Sequence, residues 1–224
     1  MDDLESADED VRLGVYRTFA TTGRAPAAAA LAAELGLDAD AVRAGLRRLA
    51  DRRHLVLDGS GDIAMAHPFS SVPLGFAVMG RETLWWGGCA WDSFAMPHVL
   101  PDEPEVLVST PCPGCGAALA WVAGRSAPPE GREVAHLLVP VAQMWDDVVR
   151  TCGNQRLFCS DTCVDRWLEL SGNARGYVMD LATLWRLAQH WYDGRLARGY
   201  RRREPAQVAH YFRSVGLFGS FWAL

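Results

Sequence analysis

The sequence predicts an α+β fold: a winged helix-turn-helix-like N-terminal domain, then a mixed or antiparallel sheet with flanking helices. Three observations predict it. Apolar residues recur at helical spacing up to about residue 50. Short strand-like runs broken by Pro and Gly fill the middle, and amphipathic helices return after residue 160. At 224 residues, half of them hydrophobic, the chain has the material for one large domain or a small one plus a medium one. The boundary is expected near residue 70, with 1–70 as the winged unit, 71–224 as the larger domain and Ser70 to Pro73 as the linker.

The first twelve residues, MDDLESADEDVR, read as a frayed acidic tail. Val11, Leu13, Val15 and Phe19 lie to one side of a first helix ending near Thr21. Pro26 opens a second, which Gly36 can end after Leu35. Asp38 is placed to cap a third, carrying Val42, Leu46 and Leu49. Two strand-like runs, His54 to Leu57 and Asp62 to Ala66, flank Gly59-Ser60-Gly61 and form the wing. Beyond the linker, strands are expected over Gly75 to Met79, Glu105 to Ser109, Ala117 to Ala123, Ala135 to Val139 and Tyr177 to Met179. Helices are expected over Gln143 to Arg150, from Ser160 or Asp161 to Leu170, from Leu181 to Leu196, and after Pro205.

Charge narrows the function. The net charge is −5 and all 22 basic residues are arginine. Without lysine there is no Schiff base, no Walker-type phosphate loop and no lysine general base. Arg43, Arg47, Arg48, Arg52 and Arg53 could touch phosphates, but Ala39, Asp40 and Ala41 are poor base readers where a recognition helix would begin. The winged unit is therefore read as a packing module, with no nucleic-acid partner. The acidic start is not signal-like, and the alanine-rich run from Ala25 to Ala33 is too weak to span a bilayer. The expectation is a cytoplasmic protein with no membrane partner, whose six cysteines are reduced.

In that setting thiols mean chemistry or metal. Trp85 to Pro97, WWGGCAWDSFAMP, puts Cys89 three residues before Asp92. If Cys89 opens a short helix, Asp92 lies one turn on along the same face, and the helix start favours thiolate. Pro97 is expected to discourage that helix from continuing. Trp85, Trp86 and Trp91 could wall an apolar pocket. Cys112-Pro-Gly-Cys115-Gly116 is a metal knuckle, and Cys159 and Cys163 stand four apart at a helix start. Spacing leaves two four-thiol zinc sets open: Cys112, Cys115, Cys159 and Cys163, or Cys112, Cys115, Cys152 and Cys163, the latter leaving Cys159 free. None of the six histidines pairs at ligand spacing, and each is read as a surface or packing residue.

The run from Phe76 to Leu100, with Arg81, Leu84, Cys89-Ala-Trp-Asp92-Ser-Phe and Pro97, resembles the organomercurial (alkylmercury) lyases. Val108-Ser-Thr-Pro-Cys112, Phe158-Cys159 and Gly176-Tyr-Val-Met resemble further family segments in the same order. The resemblance implies an organomercurial-lyase-like fold over 71–224, with Cys89, Asp92 and Cys159 as catalytic residues. It implies protonolysis of a carbon–mercury bond, without a required cofactor. Mercury(II) would be the bound product, passed to small thiols or a mercuric reductase. Cys112, Cys115 and Cys163 would then be metal ligands, for a possible structural zinc. Gly88 departs from the family's tryptophan before the first cysteine, Ser160 follows the second, and Cys115 and Cys163 are additional. The runner-up is a non-catalytic or repurposed member of the fold binding zinc, or another soft metal, through CxxC and CxxxC.

Overall fold

The computed structural model describes residues 3–224, with side chains from Glu5 onward. Helix α1 (Asp3–Thr22) buries Val11, Leu13, Val15 and Phe19, as their spacing requires. The expected acidic tail is therefore helix over its described part; residues 1 and 2 lie outside the described residues. The physical reason is burial with pairing. Asp8 is buried and receives Arg48 at 2.6 Å. Arg12 is buried and donates to the carbonyls of Arg195 and Ala197, both at 2.7 Å. These charges are satisfied, so the helix can begin early and pin the C-terminal segment.

Helix α2 (Ala28–Leu35) ends at Gly36 in the left-handed region. Helix α3 (Ala39–Asp51) is capped by Asp38, whose carboxylate accepts from the Asp40 and Ala41 amides. Strands β1 (Val56–Leu57) and β2 (Ile63–Ala66) pair antiparallel behind it. That hairpin does not stand alone. Strand β3 (Phe69–Ser70) pairs with β2 and with β5 (Leu84–Gly87). With β4 (Phe76–Met79), β6 (Glu105–Pro111) and β7 (Ala118–Gly124) they make one antiparallel sheet, in the order β1-β2-β3-β5-β4-β6-β7. Backbone pairing thus crosses residue 70 without a break. A second antiparallel sheet has the order β10-β8-β9, from β8 (Val134–Leu137), β9 (Gln155–Phe158) and β10 (Tyr177–Asp180).

Helix α4 (Ala90–Val99) packs on the large sheet and against α7 (Leu181–Gln189). It is buried nearly all round, so its apolar pattern shows no face. Pro97 sits inside its last turn rather than before its end; the helix stops two residues later. Two departures from expectation shape the site. The helix expected over Gln143 to Arg150 is a short 3-10 turn at Val141–Gln143 followed by α5 (Val148–Gly153), capped by Asp147. Helix α7 stops at Gln189, not Leu196, and the turns after it carry Tyr192 and Arg195 inward. Helices α6 (Asp161–Ser171), capped by Ser160, and α8 (Pro205–Ser214) complete the chain.

Candidate active site

Two groups of cysteines stand apart in the fold. The first begins at α4. Cys89 is the N-cap residue, and its sulfur accepts from the Asp92 amide at 3.4 Å. Its thiol donates to Asp92 Oδ2 at 3.2 Å, so thiol and carboxylate do share one face. Gly88 explains how the carboxylate fits: a Cβ there would meet Asp92 Oδ2 at 2.3 Å. A side chain there would push the Asp92 carboxylate out of this position.

The second thiol in reach is Cys152, not Cys159. The last turn of α5 brings Cys152 Sγ to 4.0 Å from the same Asp92 Oδ2, and Cys89 and Cys152 are in hydrogen-bonding contact. His67, before β3, places Nε2 at 3.4 Å from Cys152 Sγ and at 4.0 Å from Asp92 Oδ2. Tyr192 donates to the other oxygen, Asp92 Oδ1. All five side chains are buried and line one cleft of about 790 Å³. The cleft's tryptophans are Trp91, Trp145 and Trp191. Trp85 instead lies in the core, donating to the Phe19 carbonyl, and Trp86 is on the surface. His98 packs edge-on to Trp185, away from the cleft.

Burial and partners sort the protons. Burial pushes the Cys89 thiol well above its usual range, and Cys152 and Asp92 push the same way. The expected helix-start activation of Cys89 therefore loses to desolvation beside a carboxylate. Cys152 moves down to about 7, through the hydrogen bond from Cys89 and, against burial, the neighbouring His67. Burial opposes charging of His67, but Asp92 and Cys152 outweigh it and raise its pKa. Burial raises Asp92, with His67, Tyr192 and Cys89 pulling the other way. The group therefore contains a low-pKa thiol beside an imidazole, and a second thiol beside a carboxyl able to hold a proton.

The second group is the knuckle set. The sulfurs of Cys112, Cys115, Cys159 and Cys163 all lie within 4.8 Å of one another, which suits one metal ion. Cys159 Sγ is 3.5 Å from Cys115 Sγ, and its amide donates to Cys112 Sγ at 3.5 Å. The close approach depends on Gly114, where a Cβ would meet the Cys163 carbonyl oxygen at 2.2 Å. Backbone amides of Cys159, Gly114 and Cys115 overcome burial to bring Cys112 down to about 7. Burial, then the thiols of Cys115 and Cys112, push Cys159 up to about 12. One thiolate is accommodated, and further thiolates need a cation.

Of the expected trio, the structure brings Cys89 and Asp92 together and leaves Cys159 with the knuckle. It gathers Cys159, rather than Cys152, with Cys112, Cys115 and Cys163. His67 and Tyr192 were missed. They lie far from Cys89 in the chain, and no spacing signal links them. Cys152 had one signal: with Cys89, it is left over once the two knuckles are paired.

This fold and thiol–carboxylate centre define an alkylmercury lyase-like enzyme. The family model described as alkylmercury lyase matches residues 69–193, more than half of the chain. The chain belongs to the alkylmercury lyase family. The mercury-bound form of MerB2, known from its crystal structure, shares the fold with a TM-score of 0.61 and 18% identity, over 87% of this chain and 98% of that one. No curated protein sequence matches.

Proposed function

We propose that the protein cleaves the carbon–mercury bond of organomercurials at Cys89, Asp92 and Cys152. The observation that carries this is the single oxygen, Asp92 Oδ2, within reach of both thiols. Cys152, as thiolate beside protonated His67, attacks mercury and displaces its ligand, an exchange that soft sulfur favours. Cys89 then gives its proton to Asp92 Oδ2 and binds mercury as the second thiolate. Asp92 returns that proton to the carbon as the carbon–mercury bond breaks, with the bond pair going to carbon. Tyr192 holds Oδ1, which keeps Oδ2 turned to the sulfurs. The products are the hydrocarbon and mercury(II) held by two sulfurs, released by exchange with small thiols or a reductase. Phenylmercury with excess thiol should yield one benzene per mercury. Stoichiometric binding with no benzene would sink this reading.

A second reading concerns Cys112, Cys115, Cys159 and Cys163, which we assign to a structural zinc ion. Four convergent thiols from two knuckles and no nearby carboxylate among them favour a closed site over a catalytic one. The ion would tie the β6–β7 turn to the start of α6. It would also fix the end of β9 at Phe158, six residues after Cys152 on α5.

A further inference from the structure

The cleft has a positive wall that carbon–mercury cleavage does not use. Arg195 lines the cleft at 7% exposure. Its guanidinium lies over three tyrosine rings: Tyr200 at 4.4 Å, Tyr192 at 5.0 Å and Tyr16 at 5.6 Å. Its one side-chain hydrogen bond among the described residues is long, Nη1 to the Tyr16 hydroxyl at 3.4 Å. Nε is buried with no partner. Among the described residues no carboxylate forms an ion pair with it. Tyrosine faces offset part of the cost of burying a cation, yet they leave its planar donors unused.

Two more arginines extend the wall. Arg202 and Arg53 lie over Trp145, at 4.9 and 5.7 Å from its ring centre, and both line the same cleft. Neither forms an ion pair among the described residues, whereas Asp8 and Glu9 on this cleft are already taken by Arg48 and Arg12. Glu5, Asp146 and Glu204 at the rim are exposed and pair with none of the three. Arg53 holds this place with φ of 59°, a left-handed conformation that costs a branched or long side chain energy. The combined field is felt next door. His54 falls to about 4, through burial first and then Arg195, Arg12 and Arg202. In a chain of net charge −5, three arginines without an ion pair among the described residues line one cleft.

We propose that Arg195, with Arg202 and Arg53, forms an anion subsite that takes a carboxylate borne by the organomercurial or by the thiol carrying its mercury. The planar guanidinium fork matches a carboxylate, and the tyrosine cage fixes its orientation. The cleft is roomy enough for an arylmercury and its thiol together. This rests on the reading of Cys89, Asp92 and Cys152 as the reacting centre.

The test compares phenylmercury and 4-mercuribenzoate, each carried by 2-mercaptoethanol or by mercaptoacetate, in the full-length protein. Binding of mercury-free benzoate is measured alongside by calorimetry. A carboxylate on the ring or on the carrier should raise kcat/KM about tenfold or more, mainly through KM. The ring arm and the carrier arm identify its source. The preference should collapse in Arg195→Gln, return partly in Arg195→Lys and weaken in Arg202→Gln. Should Arg195→Gln not fold, Arg202→Gln carries the comparison. Equal kcat/KM for all four combinations, with cleavage intact, overturns the subsite and leaves the lyase reading standing. A preference that survives both substitutions overturns it too. Failure of all cleavage, with Arg195-dependent binding of benzoate, overturns the lyase reading and keeps the subsite.

Discussion

The two cysteine groups use one residue type for opposite purposes. At Cys89 and Cys152 the thiols are buried with a carboxyl, an imidazole and a phenol, so protons have places to go. At Cys112, Cys115, Cys159 and Cys163 the neighbours are other thiols and backbone amides. On the proposed reading the first group binds a metal, changes its bonding and lets it go, and the second only holds one. On that reading a thiol's reactivity comes from the proton carrier beside it, not from helix-start position alone. Cys89 and Cys159 both stand at helix starts, and burial or thiol crowding raises each.

The sharpest way to break the comparison is to delete one sulfur from each group. Cys89→Ser and Cys152→Ser should each lose activity on the order of 10³-fold or more, while leaving bound zinc unchanged. Cys159→Ser should lower zinc content and stability yet keep activity per folded molecule. A folded Cys159→Ser that binds mercury and stalls, beside an active Cys152→Ser, would reverse the two assignments.

Next in size is the proton. Asp92→Asn should reduce kcat by roughly 10²- to 10⁴-fold and retain mercurial binding, because an amide accepts no thiol proton and delivers none. Single-turnover hydrocarbon release, with mercury occupancy measured in parallel, separates the two effects.

The knuckle should answer to metal rather than to substrate. Elemental analysis is expected to find about one zinc per chain. Chelation should lower Tm by roughly 10 °C or more, since binding energy at a structural zinc is folding energy. Metal-free protein of unchanged Tm would remove zinc from this account.

The smallest expected effect is on acid stability. His54, His98 and His136 all fall to about 4, each through burial first. Between pH 6.5 and about 4 the unfolded chain therefore binds more protons than the folded one. Stability from these groups is complete above pH 6.5 and is lost as pH falls through that window. Asp92 and His67 run the other way: their raised values favour the fold at low pH and fade as pH rises. Tm measured across this range should decline toward acid, and a flat profile would mean the two sets cancel.

Local chemistry determined much of this protein in advance. Periodicity placed α2, α3 and the later part of α1, Asp38 announced its cap, Ser160 was one of two candidates for another, and the Cys89–Asp92 spacing put thiol and carboxylate on one face, because each depends on neighbours within a turn or so. The CxxC and CxxxC spacings marked two thiol pairs as candidate metal ligands for the same reason, with the fourth ligand left open. What waited for tertiary structure was everything decided by contacts across the chain. The short α5 and the early end of α7 are set by packing rather than propensity, and they deliver Cys152 and Tyr192 to Asp92. His67 arrives from 25 residues upstream of Asp92, through the β3 pairing. Cys159 carries the right neighbours in sequence for the family's second thiol. Yet β9 delivers it to Cys112 and Cys115, because spatial convergence, not adjacency in the chain, decides which sulfurs meet.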